Sequence, residues 1–219
     1  MTLDIKICGL KTEEAVAAAL EGGASHIGFI FFEKSPRHVS VAEAARLRGA
    51  ARGRALAVAV TVDADDASLD TIVAAMQPDV LQLHGRETPD RVAELRTRYG
   101  LPVMKAISIR DAEDLAAIAP YRGVTDRFLL DAKPPAGAEL PGGNGIAFDW
   151  AILASLDADV DYMLSGGINA GNIGAALQMV KPSGVDVSSG VERAPGEKDP
   201  EKIRAFFRAV RALDSRGAA

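Results

Sequence analysis

Residues 4–31 read DIKICGLKTEEAVAAALEGGASHIGFIF, and they set the pattern for the whole chain. Asp4–Ile7 and His26–Phe31 are short aliphatic or aromatic runs of strand type. Between them Glu13–Leu20 is Ala-rich with helical spacing. Working outward, strand-like runs recur at Leu56–Val62, Val80–Leu83, Val103–Ile107, Arg127–Leu130, Tyr162–Ser165 and Gly184–Val187. Helical patterns fall between and after them at Val41–Arg48, Leu69–Met76, Arg91–Tyr99, Ala112–Ala119, Trp150–Leu156, Ala170–Val180 and Pro200–Leu213.

Helix starts are marked by their chemistry. Ser40 with Glu43 forms a capping-box pattern, and Thr88-Pro89 and Asp199-Pro200 each place a cap before a proline. Asp111 and Asn169 are further cap candidates. Strict alternation of strand and helix implies parallel strands joined by helical crossovers. Eight units in 219 residues leave about 27 residues each, lean for an α/β (β/α)8 TIM barrel. The rival, an open doubly wound nucleotide-binding sheet, wants Gly-x-Gly-x-x-Gly after its first strand; here that strand runs into Cys8-Gly9-Leu10. No linker or low-complexity run divides the chain, so residues 1–219 read as one barrel domain.

A net charge of -5 argues against general binding to nucleic acid or an anionic membrane, so an anionic ligand needs locally placed donors. No run approaches the roughly 18 apolar residues of a membrane span, and the N-terminus lacks the pattern of a signal peptide. The single Cys8 cannot form an internal disulfide, which fits a reducing cytoplasm. No His/Cys/carboxylate cluster has metal-ligand spacing, so no metal is expected.

In such a barrel, polar residues at strand ends need explaining. Period-2 alternation puts Asp4, Lys6 and Cys8 on one face of the first strand and Ile5 and Ile7 on the other, leaving Cys8 at the rim of the interior. Asp131 shares a face with Leu129, and its partly desolvated carboxyl suits a proton donor. Arg37, pinned by Pro36, offers a planar guanidinium to a substrate carboxylate. Ser165-Gly166-Gly167-Ile168-Asn169 and Ser188-Ser189-Gly190-Val191-Glu192 end the seventh and eighth strands. That is the recurrent phosphate position in phosphate-binding barrels, which marks Gly166, Gly167, Ser188, Ser189 and Gly190 as phosphate candidates. Asp186 can reach substrate hydroxyls, and His84 shares a face with Gln82; either can equally be a satisfied core group. Pro141-Gly142-Gly143-Asn144-Gly145 lacks the Walker lysine and reads as a flexible loop or lid.

Taken in order, Lys6-Ile7-Cys8-Gly9, Ser35-Pro36-Arg37, Leu81-Gln82-Leu83-His84-Gly85, Leu129-Leu130-Asp131, Gly142-Gly143-Asn144-Gly145 leading to Phe148-Asp149-Trp150, Ser165-Gly166-Gly167 and Asp186 through Glu192 resemble phosphoribosylanthranilate isomerases. Pro195-Gly196 and Lys198-Asp199 extend the match to about residue 207. The resemblance implies an Amadori rearrangement in tryptophan biosynthesis, without metal or organic cofactor. It implies Cys8 as general base, Asp131 as general acid, Arg37 at the anthranilate, and phosphate in the last two loops. Thr61 departs from the family, which often has Phe there. The histidine-pathway sugar isomerase is a rival, but it would carry a second phosphate loop after the third strand, where this chain has acidic, glycine-free Asp63-Ala64-Asp65-Asp66. A metal-dependent epimerase would cluster its histidines, and a non-catalytic phosphosugar-binding barrel would leave the acid and base positions unexplained. Oligomeric state is open between monomer and homodimer.

Overall fold

The computed structural model describes residues 3–134, 137–138, 140–143, 145 and 147–217, with side chains through Leu213. Eight parallel strands close into a barrel in chain order: β1 Asp4–Cys8, β2 His26–Phe31, β3 Leu56–Thr61, β4 Val80–Leu83, β5 Val103–Ile109, β6 Arg127–Ala132, β7 Tyr162–Leu164 and β8 Gly184–Val187. β8 pairs back onto β1 with Lys6 opposite Asp186, and Cys8 lies opposite Gly28 of β2. The α/β (β/α)8 TIM barrel read from the alternation is the observed fold.

The helices are α1 Glu13–Gly22, α2 Val41–Gly49, α3 Asp66–Met76, α4 Pro89–Tyr99, α5 Ile173–Met179 and α6 Pro200–Gly217. Ser40, Asp65 and Thr88 each cap a helix by accepting from the backbone N–H three residues on. The Ser40–Glu43 box forms only in half. The Glu43 carboxylate turns to the Arg46 guanidinium, a charge-assisted partner stronger than the Ser40 N–H.

Asn169 does not start its helix. Its side chain accepts from Gly171 N–H and its own N–H donates to the Asn172 side chain, local bonds that delay α5 to Ile173. The fifth and sixth crossovers also differ from the expected α-helices. They wind as 3-10 helices, Ala112–Tyr121 and Trp150–Ser155. A 3-10 helix rises about 2.0 Å per residue against about 1.5 Å for an α-helix, so fewer residues span the barrel's height.

The core has two compartments. Ile7, Ile27, Phe29, Leu81, Leu130, Leu164 and Val185 point outward beneath the helices, and α6 adds Ile203, Phe206, Phe207 and Val210 from one face. Inside the barrel, Val58, Val60, Val80, Met104, Ala106, Leu129 and Met163 pack with Cys8. Fully burying one such side chain stabilises the fold by about 1.5–3 kcal/mol. Beyond β8, the chain makes a small antiparallel hairpin, β9 Glu192–Ala194 and β10 Glu197–Lys198, before α6. No helix among the described residues is long and apolar enough to cross a membrane.

Candidate active site

A cavity opens at the C-terminal ends of the strands. Its walls include Cys8 from β1, Arg37 from the loop after β2, His84 beyond β4, Asp131 from β6, and Asp186 and Ser188 from the β8 end. The alternation that buries Ile5 and Ile7 under the helices turns Cys8 into this cavity, where it is 5% exposed. Burial pushes its thiol above the ordinary value. Lys6 pulls it down, Asp186 adds to the rise, and Lys198 opposes it, with a net upward shift. The Ser188 hydroxyl donates to the Cys8 carbonyl at 3.1 Å, fastening the β8 end to the β1 end.

Asp131 is buried on the opposite wall, and its Oδ1 accepts from Ala132 N–H at 2.9 Å. His84 Nε2 lies 3.3 Å from Asp131 Oδ2, and its Nδ1 is 2.9 Å from the Gln82 amide nitrogen. The loop carrying His84 is anchored from below. Lys105 of β5, which faces outward, donates to the carbonyls of Leu83 and Gly85 and to Glu87. Gly142 closes over Asp131, where an added Cβ would collide with Asp131 Oδ2 and His84 Nε2. The loop read as a lid is therefore folded down on the site in its described residues; Asn144 lies outside them.

Arg37 is only 4% exposed. Its Nε and Nη2 donate to the two Glu192 oxygens, each at 2.8 Å, and Nη2 also donates to the Gly143 carbonyl at 3.1 Å. The fork is thus already filled on one side, and Nη1 has no hydrogen-bond partner among the described residues. Lys198 completes the cluster. Its Nζ reaches Glu192 at 2.5 Å and both the carbonyl and hydroxyl of Ser188 at 3.2 Å. Burial acts to raise the Glu192 carboxyl, but Arg37 and Lys198 outweigh it and hold the group below its ordinary value.

Gly166, Gly167, Ser188 and Ser189 line the same cavity. Gly190 sits one step back, where the two loops cross; a Cβ there would run into the Ile168 carbonyl oxygen. Because α5 begins at Ile173, the expected helix start does not abut the glycines, and the Asn169 and Asn172 side chains bind the Gly167 carbonyl instead. Asp186 accepts from Lys6 at 2.8 Å and from the Ser165 hydroxyl at 3.3 Å. No group of three or more His, Cys, Asp or Glu among the described residues could hold a metal ion.

The family model for N-(5'phosphoribosyl)anthranilate (PRA) isomerase matches residues 5–209. This chain belongs to that family. The N-(5'-phosphoribosyl)anthranilate isomerase of Chelativorans sp. (strain BNC1) is 73% identical over 212 residues, covering 97% of each chain. That of Mesorhizobium japonicum is 71% identical over 219 residues and all of both chains. Among solved structures, phosphoribosyl anthranilate isomerase from Thermotoga maritima superposes with a TM-score of 0.87 at 31% identity, covering 97% of this chain and 100% of that one. A phosphoribosyl anthranilate isomerase in complex with reduced 1-(o-carboxyphenylamino)-1-deoxyribulose 5-phosphate gives 0.84 at 30% identity, with the same coverage.

Three side chains that hold cavity residues in place were not read as such from the sequence: Lys6, Glu192 and Lys198. Lys6 had a signal, since the alternation that aims Cys8 inward aims Lys6 inward too. Glu192 and Lys198 had none beyond their place in the family pattern. Their meeting with Arg37 depends on the β9–β10 hairpin folding back against the Pro36 loop, where Gly196 packs on the Pro36 carbonyl.

Proposed function

We propose that this chain converts N-(5-phospho-β-D-ribosyl)anthranilate to 1-(2-carboxyphenylamino)-1-deoxy-D-ribulose 5-phosphate in L-tryptophan biosynthesis, with Cys8 as general base and Asp131 as general acid. The observation that carries this reading is that a thiol from β1 and a carboxyl from β6 wall one cavity beside the Gly/Ser loops of β7 and β8. Protonated Asp131 gives its proton to the furanose ring oxygen as the C1–O bond breaks, leaving a C1=N iminium. The iminium acidifies C2, and thiolate Cys8 removes that proton to form an enolamine, which tautomerises to the 2-ketone. Each transfer by a positioned group contributes roughly 10²–10⁴ in rate.

Gly166, Gly167, Ser188, Ser189 and Gly190 hold the phosphate, Arg37 presents Nη1 to the anthranilate carboxylate, and Asp186 and His84 contact the sugar. Fixing the substrate at both ends places C1 and C2 between acid and base. In this reading the whole chain, 1–219, is one catalytic domain. It works in the cytoplasm as a monomer or homodimer on a small phosphorylated substrate, without nucleic-acid or membrane partners. The test is a fluorescence assay following the loss of phosphoribosylanthranilate with purified protein. Loss that tracks protein concentration is expected; no loss above the spontaneous rate would overturn the reading.

A further inference from the structure

Lys6 is fully buried inside the barrel, among the largest side chains to be so. Removing an ammonium from water costs several kcal/mol unless it is paired, and even a paired one adds little over an apolar plug of the same shape. A charge held there calls for a role other than filling space. Lys6 Nζ donates to Asp186 Oδ1 at 2.8 Å across the β1–β8 seam, and Asp186 Oδ2 is held in turn by Ser165.

The pair is next to the thiol. Lys6 and Cys8 are two residues apart on β1, so both side chains stand on its inner face. Opposite Cys8, β2 offers Gly28: a Cβ built there would lie 2.9 Å from Cys8 Sγ and 3.2 Å from Lys6 Cε. The lysine stem and the sulfur therefore crowd the same point, which the glycine leaves vacant.

We propose that Lys6 is a positioning residue for the isomerisation, an ammonium fixed by Asp186 so that it stabilises the Cys8 thiolate, with Asp186 setting how strongly it does so. The inference rests on Cys8 being the base. Lys6 keeps its own proton throughout; the C2 proton goes to sulfur. The surroundings agree in sign. Burial raises the thiol and Lys6 is the largest influence against it, while burial acts to strip Lys6 of its proton and Asp186 and Cys8 together more than restore it. The other charged groups facing the thiol are Lys198 of β10, with Glu192 and Arg37 behind it, and Asp131 and His84 across the mouth. β2 presents His26, opposite Lys6 and within electrostatic reach of Lys6 and Asp186, and then Gly28 and Ile30, while β3 presents Val58 and Val60.

Cys8 is the only cysteine, so thiolate absorbance in the ultraviolet, corrected with Cys8→Ser for tyrosine, titrates this one group in the full-length protein. Lys6→Met should move the thiol midpoint up by about one pH unit or more, leaving about a tenth of the thiolate at neutral pH, while Lys6→Arg restores it. Asp186→Asn should move the midpoint down. A purely structural pair would not produce shifts of opposite sign. If Lys6→Met strands Asp186 and fails to fold, Lys6→Met/Asp186→Asn removes both charges, and its midpoint should lie above that of Asp186→Asn. A midpoint unchanged on loss of Lys6 in either background, or raised by Asp186→Asn, overturns the proposal. The titration needs no substrate. Absence of turnover in the unsubstituted protein would therefore sink the isomerase reading while leaving the thiol shifts to be judged separately.

Discussion

His84 Nε2 stands 3.3 Å from Asp131 Oδ2 without the alignment of a hydrogen bond, and it has no other polar partner among the described residues. Its other nitrogen, Nδ1, lies 2.9 Å from the Gln82 amide nitrogen, a contact that turns the ring's Nε2 edge toward the carboxylate. In the proposed mechanism His84 stands beside the group that donates to the sugar ring.

Asp131→Asn should therefore lower kcat at least about a hundredfold, and Cys8→Ala likewise. His84→Ala should cost less, about tenfold, because the Asp131 carboxyl itself remains in place. Steady-state kinetics beside circular dichroism and inhibition by inorganic phosphate check this. Near-normal turnover in both Asp131→Asn and Cys8→Ala removes the two-group mechanism.

The pH dependence separates the two groups. Burial raises the Cys8 thiol, so at neutral pH the thiolate is a minority and grows about tenfold per pH unit. In Asp131→Asn the thiol is the one proposed reacting group left to ionise, and the residual rate should climb with a slope near one up to the thiol midpoint. A residual rate that is flat in pH would dissociate the thiol from catalysis.

The strand ends were legible from sequence because period 2 is enforced by burial on both sides of the barrel wall. Ile5 and Ile7 must face the helices, so Cys8 must face inward, and the same rule placed Asp131 and Asp186 correctly at the cavity. What was not legible depends on contacts between distant loops. Arg37 reads as a free guanidinium, yet Glu192, 155 residues away, occupies two of its donors. Asn169 reads as a helix cap, yet local bonds to Gly171 and Asn172 divert it. Side chains with several competing partners carry no periodicity to reveal which one wins.

Arg37→Ala should chiefly raise KM, through loss of the carboxylate contact and of the brace to Glu192 and Gly143. Arg37→Lys should not rescue it, because an ammonium has three donors and the site asks for four, two to Glu192, one to Gly143 and one to the ligand. An unchanged KM and kcat in Arg37→Ala would refute the role.

Glu192 is a stability residue as well. Its carboxyl lies between Arg37 and Lys198, and Glu192→Gln leaves two buried cations with weakened pairing. Breaking such a pair costs about 3–5 kcal/mol. The sign with pH follows from the folded-state value being held below 4.5. The contribution is fully present above about pH 4.5 and is lost as pH falls through the lower folded value, because the unfolded chain binds the proton first. Urea unfolding from pH 7 down to acid should show a smaller acid loss in Glu192→Gln than in the unsubstituted protein. Parallel curves would show that the cluster contributes nothing to acid sensitivity.

Gly190 lets the proposed phosphate loops be tested apart from the chemistry. It lies where the β8 loop crosses the β7 loop, and an added Cβ would collide with the Ile168 carbonyl and crowd the Asn169 Cβ at 2.9 Å. The obstacle is backbone, not the end of a flexible side chain, so the loops must part. Overpacking of this kind costs about 1–3 kcal/mol. Gly190→Ala should weaken inorganic phosphate as a competitive inhibitor and raise KM by about tenfold or more. Cys8 and Asp131 are untouched, so the Cys8 thiol midpoint should stay where it is. A variant that keeps its phosphate affinity while losing stability would show that the crossing only joins the loops and does not shape the anion cradle.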